Sequence, residues 1–253
     1  MKKYILILFV TLFSASHSVA ENINQQVEKS YHDRDFSTVI TLLENEAKKQ
    51  KESGKESFQL YYNLGNAYFR SNNLAKAILN YERALLIKPN DKETKINIEF
   101  TQSKIEDKFA EKDTFILTIV ANAIENLGST NMWATISIIL FLILVASLAI
   151  FFFTKQIVLK KGMFYLGIVC FALLILSNIF AFRQKSKIEN RNAAIVMASP
   201  VPAYNSPNIS DKAVFTLHSG SKVTIKKEDG DWVQIEIVSG EKGWIERSKI
   251  EII

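Results

Sequence analysis

FQLYYNLGNAYFRSNNLAKAILNYERALLIKP, residues 58–89, reads as two amphipathic helices folded back on one another. Tyr61, Leu64, Tyr68, Leu74 and Tyr81 recur at helical spacing and fill a seam. Gly65, Ala77 and Ala84 are small where the two helices must press together. Between the halves, Asn73 is placed to cap the second helix. Pro89 cannot continue that helix, because it lacks the N–H and clashes with the preceding turn.

This order of positions resembles the tetratricopeptide repeat, a helix-turn-helix unit of about 34 residues. The resemblance implies a module that presents a surface to another protein and carries no chemistry of its own. Upstream lies a weaker copy, with Val27 to His32 followed by Phe36-Ser37-Thr38-Val39 and Leu42-Leu43. Downstream, Asn90-Asp91 is expected to cap a third helical stretch with Ile96, Ile98, Phe100 and Ile105 on its apolar side, in the place of a closing helix. Such an array falls below the roughly three repeats normally needed to stand alone. It is therefore expected to lean on another copy, a partner or the membrane surface. Along the first helix of the good repeat, Tyr62, Asn66, Phe69 and Arg70 share the face that lines the concave side in such repeats. Aromatic and cationic together, they suit an acidic or extended peptide.

The formal charge of +5 over 253 residues invites a nucleic-acid reading, and its distribution removes it. Residues 21–127 hold 15 Lys or Arg against 17 Asp or Glu, and residues 194–253 hold 7 against 8. The excess comes from Lys2, Lys3 and the residues flanking two apolar segments, which is membrane-anchoring charge rather than a groove for phosphates.

Residues 1–20 have the layout of a secretory signal peptide: Lys2-Lys3, an apolar stretch from Tyr4 to Phe13, then Ser18-Val19-Ala20 with cleavage between Ala20 and Glu21. Residues 21–112 are expected to be the repeat domain. Residues 113–130, apolar but broken by Asn122, Glu125 and Asn126, suit an interfacial helix. Residues 131–153 and 163–182 carry no charge and are long enough to cross a hydrocarbon core of ~30 Å. Residues 154–162 are expected to join them as a loop with Lys155, Lys160 and Lys161. Two crossings put both soluble domains on one side, and the signal peptide makes that side periplasmic, with the loop inside. Arg183, Lys185, Lys187 and Arg191 then lie outside, against the positive-inside tendency.

From residue 194 the pattern changes to short strands. Lys222–Lys227 alternates, Asp229-Gly230 signals a hairpin, and Trp232–Ile237 alternates again. Leu217-His218-Ser219-Gly220, Val223, Trp232-Val233, Gly240 and Gly243-Trp244-Ile245 resemble the bacterial SH3 domain. That resemblance implies a small barrel, of which several relatives bind peptidoglycan or peptides, with Tyr204 and Trp232 as a candidate ligand face.

No GxSxG, Walker loop, HExxH or dinucleotide fingerprint is present, so no enzyme is expected. His17, His32 and His218 lack metal-ligand spacing, and Cys170 lies alone in an apolar run; no metal or other cofactor is expected. Glu106-Asp107 and Glu228-Asp229 read as surface carboxylates. The expected class is multidomain: an α-helical repeat domain, a two-helix transmembrane hairpin and a C-terminal all-β SH3-like barrel.

In this order, the parts resemble the BatE-type proteins of bacterial aerotolerance operons. The resemblance implies an inner-membrane scaffold beside membrane-anchored von Willebrand A-domain proteins and a MoxR-type ATPase, with self-association a further way to cover a short array. The other reading is a cell-wall sensor or tether, binding peptidoglycan or peptides through the barrel.

Overall fold

The structure, a computed structural model, describes residues 25–109 and 116–253. The signal-peptide expectation, with its cleavage at Ala20-Glu21, lies outside them. Residues 25–32 (α1) and Phe36–Glu52 (α2) form the weaker repeat, and Phe58–Arg70 (α3) and Leu74–Ile87 (α4) the stronger one. Lys92–Gln102 (α5) follows them. The starts of α2 to α5 are capped: Asp35, Ser57, Asn73 and Asp91 accept from the backbone N–H three residues on. The seam is as close as the small residues imply. A Cβ at Gly65 would lie 2.4 Å from Tyr81 Cδ1, so only glycine lets the ring pass.

On α5 the expected apolar side is only partly right. Thr94, Ile98 and Thr101 face the core, whereas Ile96 and Phe100 are exposed. Ile105 lies beyond the helix end and packs elsewhere.

Beyond Ile116–Glu125 (α6), two antiparallel helices follow, Thr130–Phe153 (α7) and Ile157–Glu189 (α8). Both are long and apolar enough to cross a membrane. They meet along small residues: Ser147 Oγ donates to Met163 O at 2.6 Å, Gly167 lies against Ser147, and Asn178 Nδ2 donates to Ser137 Oγ at 2.7 Å. The loop expected over 154–162 is only 154–156, because Ile157-Val158-Leu159 and the lysines after them continue the helix. Likewise α8 does not stop at residue 182. Its 33 residues span about 50 Å against a hydrocarbon core of ~30 Å, so its last two turns stand clear as a stalk.

The four basic residues of that stalk region have partners. Arg183 Nε meets Glu125 Oε2 at 2.6 Å, Lys187 meets the other carboxylate oxygen, Lys185 pairs with Glu189 one turn on, and Arg191 reaches Glu56. Glu125, read in sequence as a break in an apolar stretch, is fully buried at the foot of α8. Gln184 Nε2 and Trp133 Nε1 both donate to its backbone carbonyl, which pins the end of α6 to both long helices.

The C-terminal domain is one antiparallel sheet in the order β3-β2-β6-β5-β4-β1-β7. Its strands are Ala193–Val196 (β1), Val201–Tyr204 (β2), Ala213–Leu217 (β3), Lys222–Asp229 (β4), Trp232–Glu236 (β5), Lys242–Glu246 (β6) and Ile250–Ile252 (β7). Alternation sets the faces: Val233, Ile235 and Ile245 point into one core with Ala194, Val201, Leu217 and Val223, while Trp232, Gln234 and Trp244 point out.

The short array leans on this barrel. Helix α4 is buried on two sides. Ala77, Tyr81 and Ala84 face α3, while Ala75, Ile78 and Leu79 pack with Ile195 of β1 and Ile253. Polar contacts frame the interface: Arg83 Nη2 donates to Ile252 O at 2.6 Å and meets Glu251 at 3.0 Å, and Lys222 Nζ meets Glu82 at 2.7 Å. Because α8 stays helical to Glu189, only residues 190–192 join it to β1, far fewer than the stretch from 183 to 193 that the sequence pattern leaves between span and first strand.

Candidate partner-binding surfaces

The four residues of the concave row are placed unequally. Asn66 Oδ1 accepts from Tyr81 Oη at 2.8 Å and from Asn97 Nδ2 at 3.4 Å, so its side chain is engaged inside the domain. Tyr62 stacks on Phe58 at 5.9 Å between ring centroids, with its hydroxyl 3.4 Å from Glu93 and Asn97. Phe69 meets Phe100 at 5.6 Å. Helix α5 therefore occupies part of the expected groove. What stays open is its margin: Arg70 exposed, Ile96 62% and Phe100 54% exposed, and Lys104 Nζ 4.8 Å above the Phe100 ring. Sequence placed Ile96 and Phe100 inside the domain, and the 3.6-residue period alone did not separate them from Ile98.

On the barrel, Tyr204 and Trp232 do meet. Their rings cross edge to face at 5.8 Å on the outer side of the sheet, both half-buried. Trp244 is paired in register with Tyr204, so a third ring shares this face.

Between the domains lies a cluster that sequence missed. Asp107, read as a surface carboxylate, has a nearly buried side chain. It accepts from the backbone N–H of His218 at 2.8 Å and from the Ser221 hydroxyl, and its other oxygen lies 2.6 Å from His218 Nδ1. Burial alone would raise the Asp107 carboxyl. The hydrogen bonds from Ser221 and His218 together outweigh it and hold it below the usual value. The His218 imidazole is raised, chiefly by the hydrogen bond to Asp107 and further by Glu106 at 3.2 Å from Nε2. Next to it, Gly220 takes φ +98°, and a Cβ there would meet Ile105 at 2.7 Å. Only glycine permits that turn to close on the helical domain. Serine, histidine and aspartate are together here, but Ser221 and His218 both bind Asp107, and the imidazole is not on the hydroxyl. This is a clasp, with no base aimed at a nucleophile. Among the described residues no group of three or more His, Cys, Asp or Glu could hold a metal ion.

Comparison with known proteins follows the two folded parts. Residues 58–91 match the tetratricopeptide repeat, and residues 201–251 match the bacterial SH3 domain. A protein of Bacillus subtilis (strain 168) named "Putative N-acetylmuramoyl-L-alanine amidase YrvJ" is 38% identical over 52 residues, 21% of this chain and 10% of that relative. This chain thus spans only about a tenth of the curated relative's length. Among solved structures, the C-terminal SH3 domain of myosin IB from Entamoeba histolytica, bound to the EhFP10(GEF) peptide, is 21% identical. It covers 25% of this chain and 93% of that one at a TM-score of 0.19. The same domain without the peptide scores 0.19 at 22% identity. The chain thus contains a tetratricopeptide repeat and a bacterial SH3 domain, joined through two apolar helices.

Proposed function

We propose that this protein is a non-enzymatic scaffold, anchored in a bacterial inner membrane by α7 and α8, that gathers other envelope proteins outside the cytoplasm. The observation that carries this reading is the open margin of the repeat domain. Phe69, Ile96 and Phe100 form an apolar strip flanked by the cations Arg70 and Lys104, while the opposite side of α4 is already covered by the barrel. Such a strip fits an acidic segment with apolar anchors. The aerotolerance resemblance supplies the candidate partners: membrane-anchored von Willebrand A-domain proteins with a MoxR-type ATPase, in a complex serving stress tolerance. Crosslinking from position 103 in intact cells, compared between the wild type and Arg70→Glu and Phe100→Ala variants, tests it. Capture of one defined protein that both substitutions weaken supports the scaffold, and unchanged capture removes this surface.

A second reading has its own observation. The outward rings of Tyr204, Trp232 and Trp244 form a platform on which sugar rings or a peptide can stack. On this reading the barrel is a cell-wall tether or sensor for peptidoglycan or peptides.

A further inference from the structure

Where α8 leaves its apolar stretch, three parts of the chain converge: the stalk, the end of α4 and the start of the barrel. They enclose a cavity of about 330 Å³, at the small end of the roughly 300–1,000 Å³ typical of ligand sites. Its charged side chains are Lys95, Lys187, Arg191, Lys222 and Glu82, and the main-chain oxygen of the last residue, Ile253, accepts from Arg191 Nη1 at 3.4 Å. Leu85, Leu86 and Ile253 supply an apolar wall.

Three of these cations are ion-paired, which offsets their charge and holds them in place. Glu125 positions Lys187, Glu82 positions Lys222 at 2.7 Å, and Glu56 positions Arg191. Each retains further N–H donors. Lys95 has no carboxylate partner among the described residues.

Depth decides what such a cavity meets. Phe182 is the last residue of the apolar stretch, and the five residues on to Lys187 rise about 7.5 Å along the helix. Each polar headgroup layer of a bilayer is about 5–8 Å thick. The adjoining helix α6 exposes Ile116, Ile119, Val120 and Ile124, and its buried Glu125 ties it to Arg183 and Lys187. An apolar row lying on the acyl boundary sets the cavity beside it among the headgroups.

We propose that this cavity binds the phosphate of an anionic phospholipid headgroup. The inference rests on α7 and α8 crossing a bilayer. Free phosphate shares the chemistry, and the experiment separates the two sources.

The full chain is first tested in membranes by carbonate extraction. It is then reconstituted in vesicles of equal parts phosphatidylcholine and phosphatidylglycerol, re-extracted in mild detergent, and its retained lipid measured. Phosphatidylglycerol is expected to be enriched about tenfold. Lys95→Gln, at an exposed position that leaves the core untouched, should reduce that enrichment about fivefold, and Lys95→Gln with Lys187→Gln should abolish it. Lys160→Gln with Lys161→Gln, at the opposite end of the hairpin, should leave it unchanged. Equal retention of both lipids, or an equal loss in the Lys160/Lys161 variant, would overturn the site. Inorganic phosphate that stabilises the detergent-solubilised protein as much as phosphatidylglycerol would overturn the lipid as its ligand. Release by carbonate would instead remove the spanning helices on which the inference stands.

Discussion

Asp107, just past α5, and His218, in the turn after β3, lie 2.6 Å apart across the interface between the repeat domain and the barrel. Their titrations limit the clasp from both sides. The carboxyl of Asp107 is lowered, so its contribution is present above the ordinary carboxylate range, near 4, and is lost as pH falls through the lowered value. The imidazole of His218 is raised, so its contribution is full below about 6.5 and is lost as pH rises through the raised value. Protection of the amides across residues 213–223, taken relative to the intrinsic exchange rate at each pH, should therefore be greatest in mildly acidic solution and should fall on both flanks. His218→Gln should flatten the alkaline flank and leave the acid one. An alkaline flank that persists in that variant would show that another group is responsible.

Asp107→Asn tests the same contact without changing pH. The amide keeps the shape but is a poorer acceptor for Ser221 and for the His218 N–H, and a loss of about 1–3 kcal/mol is expected. Thermal unfolding of the full chain reads it. A melting temperature within error of the wild type would mean that the clasp adds nothing to stability.

Gly65→Ala should destabilise the repeat. In an exposed helix the same change gains up to about 1 kcal/mol. Here the new methyl meets the Tyr81 ring, and overpacking costs about 1–3 kcal/mol. Tyr81→Phe, which keeps the ring, should not rescue Gly65→Ala, whereas Tyr81→Leu should do so in part. A melting curve in which Gly65→Ala is neutral would mean that the seam is looser than described.

Much of this was legible in sequence. Gly65, Ala77 and Ala84 marked the helix seam, Asn73 and Asp91 the caps, and the alternation around Asp229-Gly230 the β4–β5 hairpin. The docking was not read, because a repeat consensus explains Ala77, Tyr81 and Ala84 and leaves Ala75, Ile78 and Leu79 looking like ordinary helix formers. Their signal was a second apolar face on α4, made by Ala75, Ile78 and Leu79, visible only when both sides of that helix are asked for a partner. Asp107 and Glu125 were missed for a related reason: a carboxylate in polar sequence looks solvated, and its partners stand 58 to 114 residues away.

The docking also makes a topological demand. Ile78 and Ile195, both fully buried against each other's domain, oblige the repeat domain and barrel to share one side of any membrane that α7 and α8 cross. Reporter fusions within residues 110–115 and at the C-terminus should therefore agree, and the proposed export makes both active only outside the cytoplasm. Opposite signals from the two would break the two-span arrangement. Ile78→Glu should separate the domains without unfolding either, seen as one melting transition becoming two.

The barrel's outer face decides between scaffold and tether. In the proposed membrane-anchored arrangement the barrel stays near the membrane, since only residues 190–192 separate α8 from β1 and α8 stays helical to Glu189. An extended tether of ten residues would have reached ~36 Å, and that reach is absent here. On the proposed crossing of α7 and α8, the barrel is thus tied near the bilayer, where membrane-anchored proteins are nearer than the wall. The full chain in detergent is accordingly expected to show no retention on purified peptidoglycan, and Trp232→Ala with Tyr204→Ala to leave protein capture through the repeat margin within about twofold, as expected of substitutions outside an interface. Because both rings are half-buried and outside the core of Val233, Ile235 and Ile245, the variant should stay folded. Firm retention on peptidoglycan that this double substitution removes, with the sheet intact by circular dichroism, would make the barrel a wall tether and reduce the repeat margin to a secondary surface.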